Sequence, residues 1–150
     1  MLFRSAGRRL PDSDRYRFAR FRAGFTGVWA EALTLEAVFA ALRDRRCYAT
    51  TGERIVAEMT VDGLPMGAGA PPGERREQHT VAFRLVGTER ISRVEVLRDG
   101  QVVHRIDPYI EEVEDSWTDS GDGARGARFY YVRARQVDGS AAWLSPVWVG

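Results

Sequence analysis

Apolar residues along this chain change their period twice, and the changes divide it into elements. Leu35, Val38, Phe39 and Leu42 recur at i, i+3, i+4 and i+7, the stripe of a helix that turns one face to a core. Thr34 can cap its start by accepting from first-turn amides, and Glu36 suits the positive end of the helix dipole. Arg43, Arg45 and Arg46 sit at the other end, where cations are favoured. The pattern predicts a helix over 34–45. The period then becomes two. Cys47 and Ala49 fall on one side of a short strand, Tyr48 and Thr50 on the other, and Thr51-Gly52 ends it. Ile55, Ala57, Met59 and Val61 alternate along a second strand that stops at Asp62-Gly63. Residues 64–78 are rich in Pro and Gly and predict a loop.

Alternation resumes through Val81, Phe83 and Leu85. It is strongest over Ile91–Ile106, where Val94/Val96 and Val102/Ile106 flank Asp99-Gly100, a pair that favours the positive φ angles of a type I′ hairpin turn. Asp107 to Asp122 holds seven acidic residues and no base, the composition of a solvated acidic loop, and 119–126 reads as a further loop. Phe129–Val137 is strongly β-prone, Asp138-Gly139 turns it, and Trp143–Val149 returns with Pro146 as an edge or bulge mark. Short strands spaced by turn signals, with no helices between them, predict a mainly β chain with one helix (α+β class): an N-terminal arm and amphipathic helix, then an antiparallel Ig-like β-sandwich. The boundary is placed between 1–53 (arm, helix and a first strand) and 54–150 (sandwich).

Composition narrows the function classes. A chain of 150 residues that is 44% hydrophobic and 29% charged can bury a proper core. The net charge of +1 offers no global field toward nucleic acid or anionic lipid, so neither is expected as a partner. All 22 basic residues are Arg. No apolar run approaches the roughly 20 residues of a membrane span, and the opening residues lack the apolar core of a secretory signal, so the expected location is cytoplasmic. The single Cys47 excludes an internal disulfide. Seven Arg between Arg4 and Arg22 make a basic arm that could dock on the acidic segment, within the chain or across a dimer.

Gly24-Phe25-Thr26-Gly27-Val28-Trp29-Ala30-Glu31, the helix beginning Leu33-Thr34, and Arg45-Arg46-Cys47-Tyr48-Ala49-Thr50-Thr51-Gly52-Glu53-Arg54-Ile55 form one block. It resembles the end of the barrel in PHP-type metallohydrolases, named for polymerase and histidinol phosphatase domains. The likeness is to a bacterial branch in which G-L-T-x-V-x-A-E-x-L-T, a helix and R-R-x-Y-A-T-T-G-x-R-I lead out of the barrel into a β-rich C-terminal module. Val94–Gly100 and Tyr131–Trp148 resemble the last strands of that module, less specifically, so the likeness covers about 24–150.

The resemblance implies a polynuclear site of His, Asp and Glu that hydrolyses phosphoester or related bonds with metal-activated water. This chain departs from that pattern. It has only His79 and His104, neither in H-x-H, and Pro11-Asp12-Ser13-Asp14-Arg15-Tyr16 stands, without a His, where the family carries an S-x-D-x-H-like element. Roughly 50 residues cannot supply a barrel.

The remaining candidates are weak as sites. Cys47 has no nearby His and fits a small core residue. His79 and His104, even with Glu95 or Asp107, match no metal-ligand spacing, and Asp12 with Asp14 offers too few donors for a hard cation. Gly67-Ala68-Gly69 precedes no helix and is not a phosphate loop. Arg15–Arg22 interleaves cations and aromatics as single-strand binders do, without any RNA-binding signature. Trp117, Trp143 and Trp148 could form a sugar-stacking platform, although core packing is commoner. Thr50, Thr51, Gly52 and Arg54 are the candidate ligand contacts, at what would be the rim of a barrel. No catalytic residue, metal ligand or cofactor is assigned. The expectation is a non-catalytic accessory module. The alternatives are a hydrolase part that acts only with a separately encoded barrel, and a carbohydrate-binding sandwich. A helix stripe evolved for a barrel would be exposed without one, which predicts a homodimer, an arm folded back, or docking on a missing barrel.

Overall fold

The computed structural model describes residues 2–4, 23–71, 76–121 and 128–149. In chain order the elements are β1 (Leu2–Arg4), β2 (Phe25–Val28), α1 (Leu35–Arg43), β3 (Cys47–Thr50), β4 (Val56–Val61) and β5 (Leu64–Pro65). They are followed by β6 (His79–Arg98), β7 (Gln101–Ile106), β8 (Ile110–Asp119), β9 (Arg128–Gln136), β10 (Ala141–Leu144) and β11 (Val147–Val149). The strands pair antiparallel in one sheet ordered β1-β2-β3-β10-β9-β6-β4-β5, with β7 and β8 on β6 and β11 on β9. The chain is mainly β, with one helix among the described residues. β2 and β3, from the 1–53 segment, join this sheet through β10.

The alternation places the core as expected along β3 and β4. Tyr48 and Thr50 are buried while Ala49 is exposed, and Ile55, Ala57, Met59 and Val61 all point inward. Asp99 and Gly100 both take positive φ (51° and 82°), the geometry of the type I′ hairpin between β6 and β7.

β6 organises the rest. Its first half pairs with β4 and β8, its second half with β7 and β9. Residues 79, 81, 83 and 85 are buried, and then the inward positions shift to 91, 94 and 96. Register breaks between Val86 and Ile91 and between Ile91 and Arg93 produce that change of parity, which is what bulges do. The sheet thereby curls over one core, with Met59, Val81, Phe83 and Leu85 from one half packed with Val94, Val96, Val132 and Leu144 from the other.

Gln136, 1% exposed, pins the break, its side-chain carbonyl accepting from Thr88 N at 2.8 Å and Glu89 N at 3.4 Å. Gly87 is required beside it, because a Cβ would lie 2.3 Å from the Glu89 carbonyl and 2.7 Å from Gln136 Oε1.

Two expectations are corrected. The acidic stretch after Asp107 is largely strand, not loop: β8 lays Val113, half-buried Trp117 and buried Asp119 inward along β6 and leaves Glu111, Glu112 and Glu114 to solvent. Charges on an exposed edge strand guard against edge-to-edge pairing. α1 forms where expected, with Ala37 N donating to Thr34 Oγ1 at 3.2 Å. Its apolar stripe, however, does not face the core. Ala41 is the buried residue of the helix, whereas Leu35 (68% exposed), Phe39 (58%) and Leu42 (40%) lie open. The basic arm lies outside the described residues beyond β1, as do Asp12, Asp14 and the Arg15–Arg22 run.

Candidate functional site

The predicted ligand contacts at the end of β3 are occupied with local structure. Thr50 Oγ1 donates to the Glu53 carbonyl at 2.7 Å and receives Gly52 N at 3.4 Å; Thr51 Oγ1 accepts from Ala141 N at 2.9 Å. Gly52 turns the chain with φ 106°, and Arg54 is exposed. These hydroxyls tie the turn to β10, which is what Ser and Thr do beside strand ends. Cys47 is a free thiol whose nearest polar neighbour is Ser145 Oγ at 3.7 Å.

The two histidines are separated and engaged. His79 Nδ1 lies 2.7 Å from Asp62 Oδ2, and its ring is 5.6 Å from that of Tyr130. His104 stacks on Trp117 at 5.1 Å with the rings 8° from parallel. Among the described residues no group of three or more His, Cys, Asp or Glu side chains is placed to hold a metal ion. The donor set implied by the barrel resemblance is therefore not assembled among the residues described.

A buried polar cluster that sequence reasoning missed sits beside His79. Asp119 accepts from Tyr130 Oη at 2.8 Å, Arg98 Nη1 at 2.6 Å and Gly121 N at 2.9 Å. Burial alone would raise the Asp119 carboxyl, but the Tyr130, Gly121 and Arg98 donors together hold it below the ordinary carboxylate range. Burial first, and then the Asp119 charge, push the Tyr130 phenol well above its usual value. Asp119 and Tyr130 are buried within the sheet.

The three tryptophans do not form one platform. Trp117 is covered by His104, Trp148 lies under Arg45 (guanidinium carbon 5.0 Å from the ring centroid), and Trp143 stands alone on β10.

The surface with the strongest claim to function surrounds α1. The helix is fastened at its C-terminal end. Arg45, at φ 57°, donates from Nε (3.2 Å) and Nη2 (3.0 Å) to the Gly67 carbonyl, and Gly67 N donates to the Pro146 carbonyl at 3.0 Å. Gly67 permits this approach, since a Cβ there would sit 2.2 Å from the Asp44 carbonyl. Trp29, just before the helix, anchors its indole N–H on the Ala57 carbonyl at 2.9 Å and pairs its backbone N with the Arg46 carbonyl.

Leu35, Phe39 and Leu42 of α1, with Leu33 just before it, thus stand exposed on a helix held at its flanks. Trp29 and Arg46 also wall a groove of about 680 Å³ over the outer face of β4, β6 and β8, floored in part by Met66, Ala82 and Ser116. Arg46 Nε is buried there without a hydrogen-bond partner, while its Nη atoms lie near Glu31 and Asp44. No helix among the described residues is long and apolar enough to cross a membrane, so the exposed stripe is not part of a spanning helix.

Comparison with known proteins places this surface in a longer context. A family described as a protein of unknown function (DUF3604) matches residues 4–62, the stretch that contains α1, β3 and β4. The chain is similar to an uncharacterized protein of Chlamydia pneumoniae, 32% identical over 144 residues covering 87% of this chain and 23% of that protein. It is also similar to uncharacterized proteins of Chlamydia muridarum (32% identical, 92% of this chain, 24% of the relative) and Chlamydia trachomatis serovar D (30%, 92% and 24%). No solved structure matches. The chain spans about a quarter of the length of the curated relatives it matches.

Proposed function

We propose that this chain is a non-catalytic C-terminal accessory module that seats on a larger protein part resembling a PHP-type metallohydrolase barrel, with the outer face of α1 as the seat. One observation carries the reading: an amphipathic helix, capped and anchored at both ends, presents its large apolar residues outward and packs inward through Ala41. Exposed Leu and Phe grouped on one helix face mark an interaction surface, and burying each such side chain is worth about 1.5–3 kcal/mol. The occupant is the portion of the longer protein that lies outside the match, because the relatives are about four times the matched length. A second copy of this chain is the competing occupant.

The role is structural: the curled sheet supplies a stable body, and α1 with the Trp29–Arg46 groove supplies the contact. Chemistry, on this reading, belongs to the other portion. The purified chain, incubated with Zn²⁺ or Mn²⁺ and a generic phosphoester, is expected to bind no stoichiometric metal and to show no hydrolysis above the uncatalysed rate. Stoichiometric metal with turnover by the chain alone would overturn the proposal.

A further inference from the structure

The outer face where β6, β9 and β10 adjoin carries an arrangement unrelated to the α1 surface. Pairing sets Arg93 directly opposite Arg135 and Glu95 opposite Arg133, with Ala141 beside Arg135 and Trp143 beside Arg133. From the other side, Arg105 lies opposite Glu95. Arg93, Glu95, Arg133, Arg135, Ala141 and Trp143 line a hollow of about 240 Å³.

Like charges placed directly opposite destabilise a ladder, and the local acids do not cancel them. Glu95 takes Arg133 Nε. Asp107 is shared between Arg105 (3.2 and 2.7 Å) and Arg93 (3.4 Å). The Arg135 guanidinium is exposed and has no ion-pair partner among the described residues. Three guanidinium groups and one carboxylate line the hollow, a local excess of two positive charges on a chain whose net charge is +1. Trp143, 41% exposed, forms an open aromatic wall, and the small Ala141 two positions away leaves the space between that wall and Arg135. Residues two apart on a strand are separated by about 6.6 Å, a distance that one small molecule with a ring at one end and an anion at the other can span.

We propose that this hollow binds a phosphomonoester carried on a ring with a stackable face, with the phosphate on Arg135 and Arg93 and the ring stacked on Trp143. A phosphomonoester near neutral pH carries close to two negative charges, which matches the local excess. The guanidinium fork binds two of its oxygens at once. A sugar and a nucleobase both have a face that stacks on indole, so the shared chemistry is the phosphorylated ring.

Isothermal titration calorimetry with inorganic phosphate, a hexose 6-phosphate, a nucleoside 5′-monophosphate and the unphosphorylated hexose tests this on the wild type, Arg135→Gln and Trp143→Ala. Both positions are exposed, and unchanged thermal unfolding verifies that the variants fold. The expected result is saturable binding of at least one phosphorylated ring compound and none of the plain hexose. Arg135→Gln should weaken that binding about tenfold or more. Trp143→Ala should weaken the ring compounds while leaving inorganic phosphate unaffected. The tighter of the two phosphorylated ligands identifies the ring. Absence of saturable binding by either at millimolar concentration, or equal affinity in Arg135→Gln, would overturn the proposal.

Discussion

Replacing the Tyr130 hydroxyl by hydrogen removes one of three groups that hold the Asp119 carboxylate inside the sheet. A charged acceptor deprived of one buried donor loses about 1–3 kcal/mol, and Tyr130→Phe should show that loss in urea unfolding at neutral pH. The native Asp119 carboxyl lies below its unfolded value, so the native state binds fewer protons at this position. Its contribution is fully present above the unfolded carboxylate value of about pH 4 and disappears as pH falls through the lower native value. The difference between wild type and Tyr130→Phe should therefore narrow in acid, and a difference that stayed constant would remove Asp119 from the account. At this scale the sequence is legible where a residue acts on its own neighbours. The Thr34 cap and the Asp99-Gly100 turn are local chemistry and can be read directly. Asp119 reads as one more acid in an acidic stretch, because its partners Arg98 and Tyr130 are 21 and 11 residues away and only the fold brings them together.

The strand that curls the sheet depends on a few residues between Val86 and Ile91. Gln136→Leu would leave Thr88 N without its 2.8 Å acceptor in a part-buried setting, at a cost of about 1 kcal/mol. Gly87→Ala would force a Cβ against the Glu89 carbonyl and should cost at least as much. Urea unfolding of both variants checks this; near-wild-type midpoints would mean that the break in β6 is not a constrained feature. The two halves of β6 are visible as separate alternating runs, but their continuity is not, since Gly87-Thr88-Glu89-Arg90 between them interrupts the apolar alternation. β8 is hidden for a different reason. Its exposed positions include Glu111, Glu112, Glu114 and Asp115 and its inward ones include Asp119, so no apolar alternation reveals a strand that is held by pairing with β6.

Seen whole, the chain has a core that closes without the large residues of α1. Phe39→Glu should accordingly change the stability of the isolated chain by no more than about 0.5 kcal/mol, as at other exposed positions. The stripe of α1 is plain in the sequence, but its direction is not: periodicity shows that one face of a helix is apolar and does not identify what covers it. The resemblance to a barrel exit suggests an external partner, and the outward face of α1 is the seat proposed for it. The most direct test is sedimentation of this chain mixed with the portion of the Chlamydia pneumoniae relative that lies outside the match, using the wild type and Phe39→Glu. The account predicts a stable complex with the wild type and none with Phe39→Glu, while Phe39→Glu remains folded. A wild type that stays unbound, or a Phe39→Glu chain that binds equally well, would contradict it.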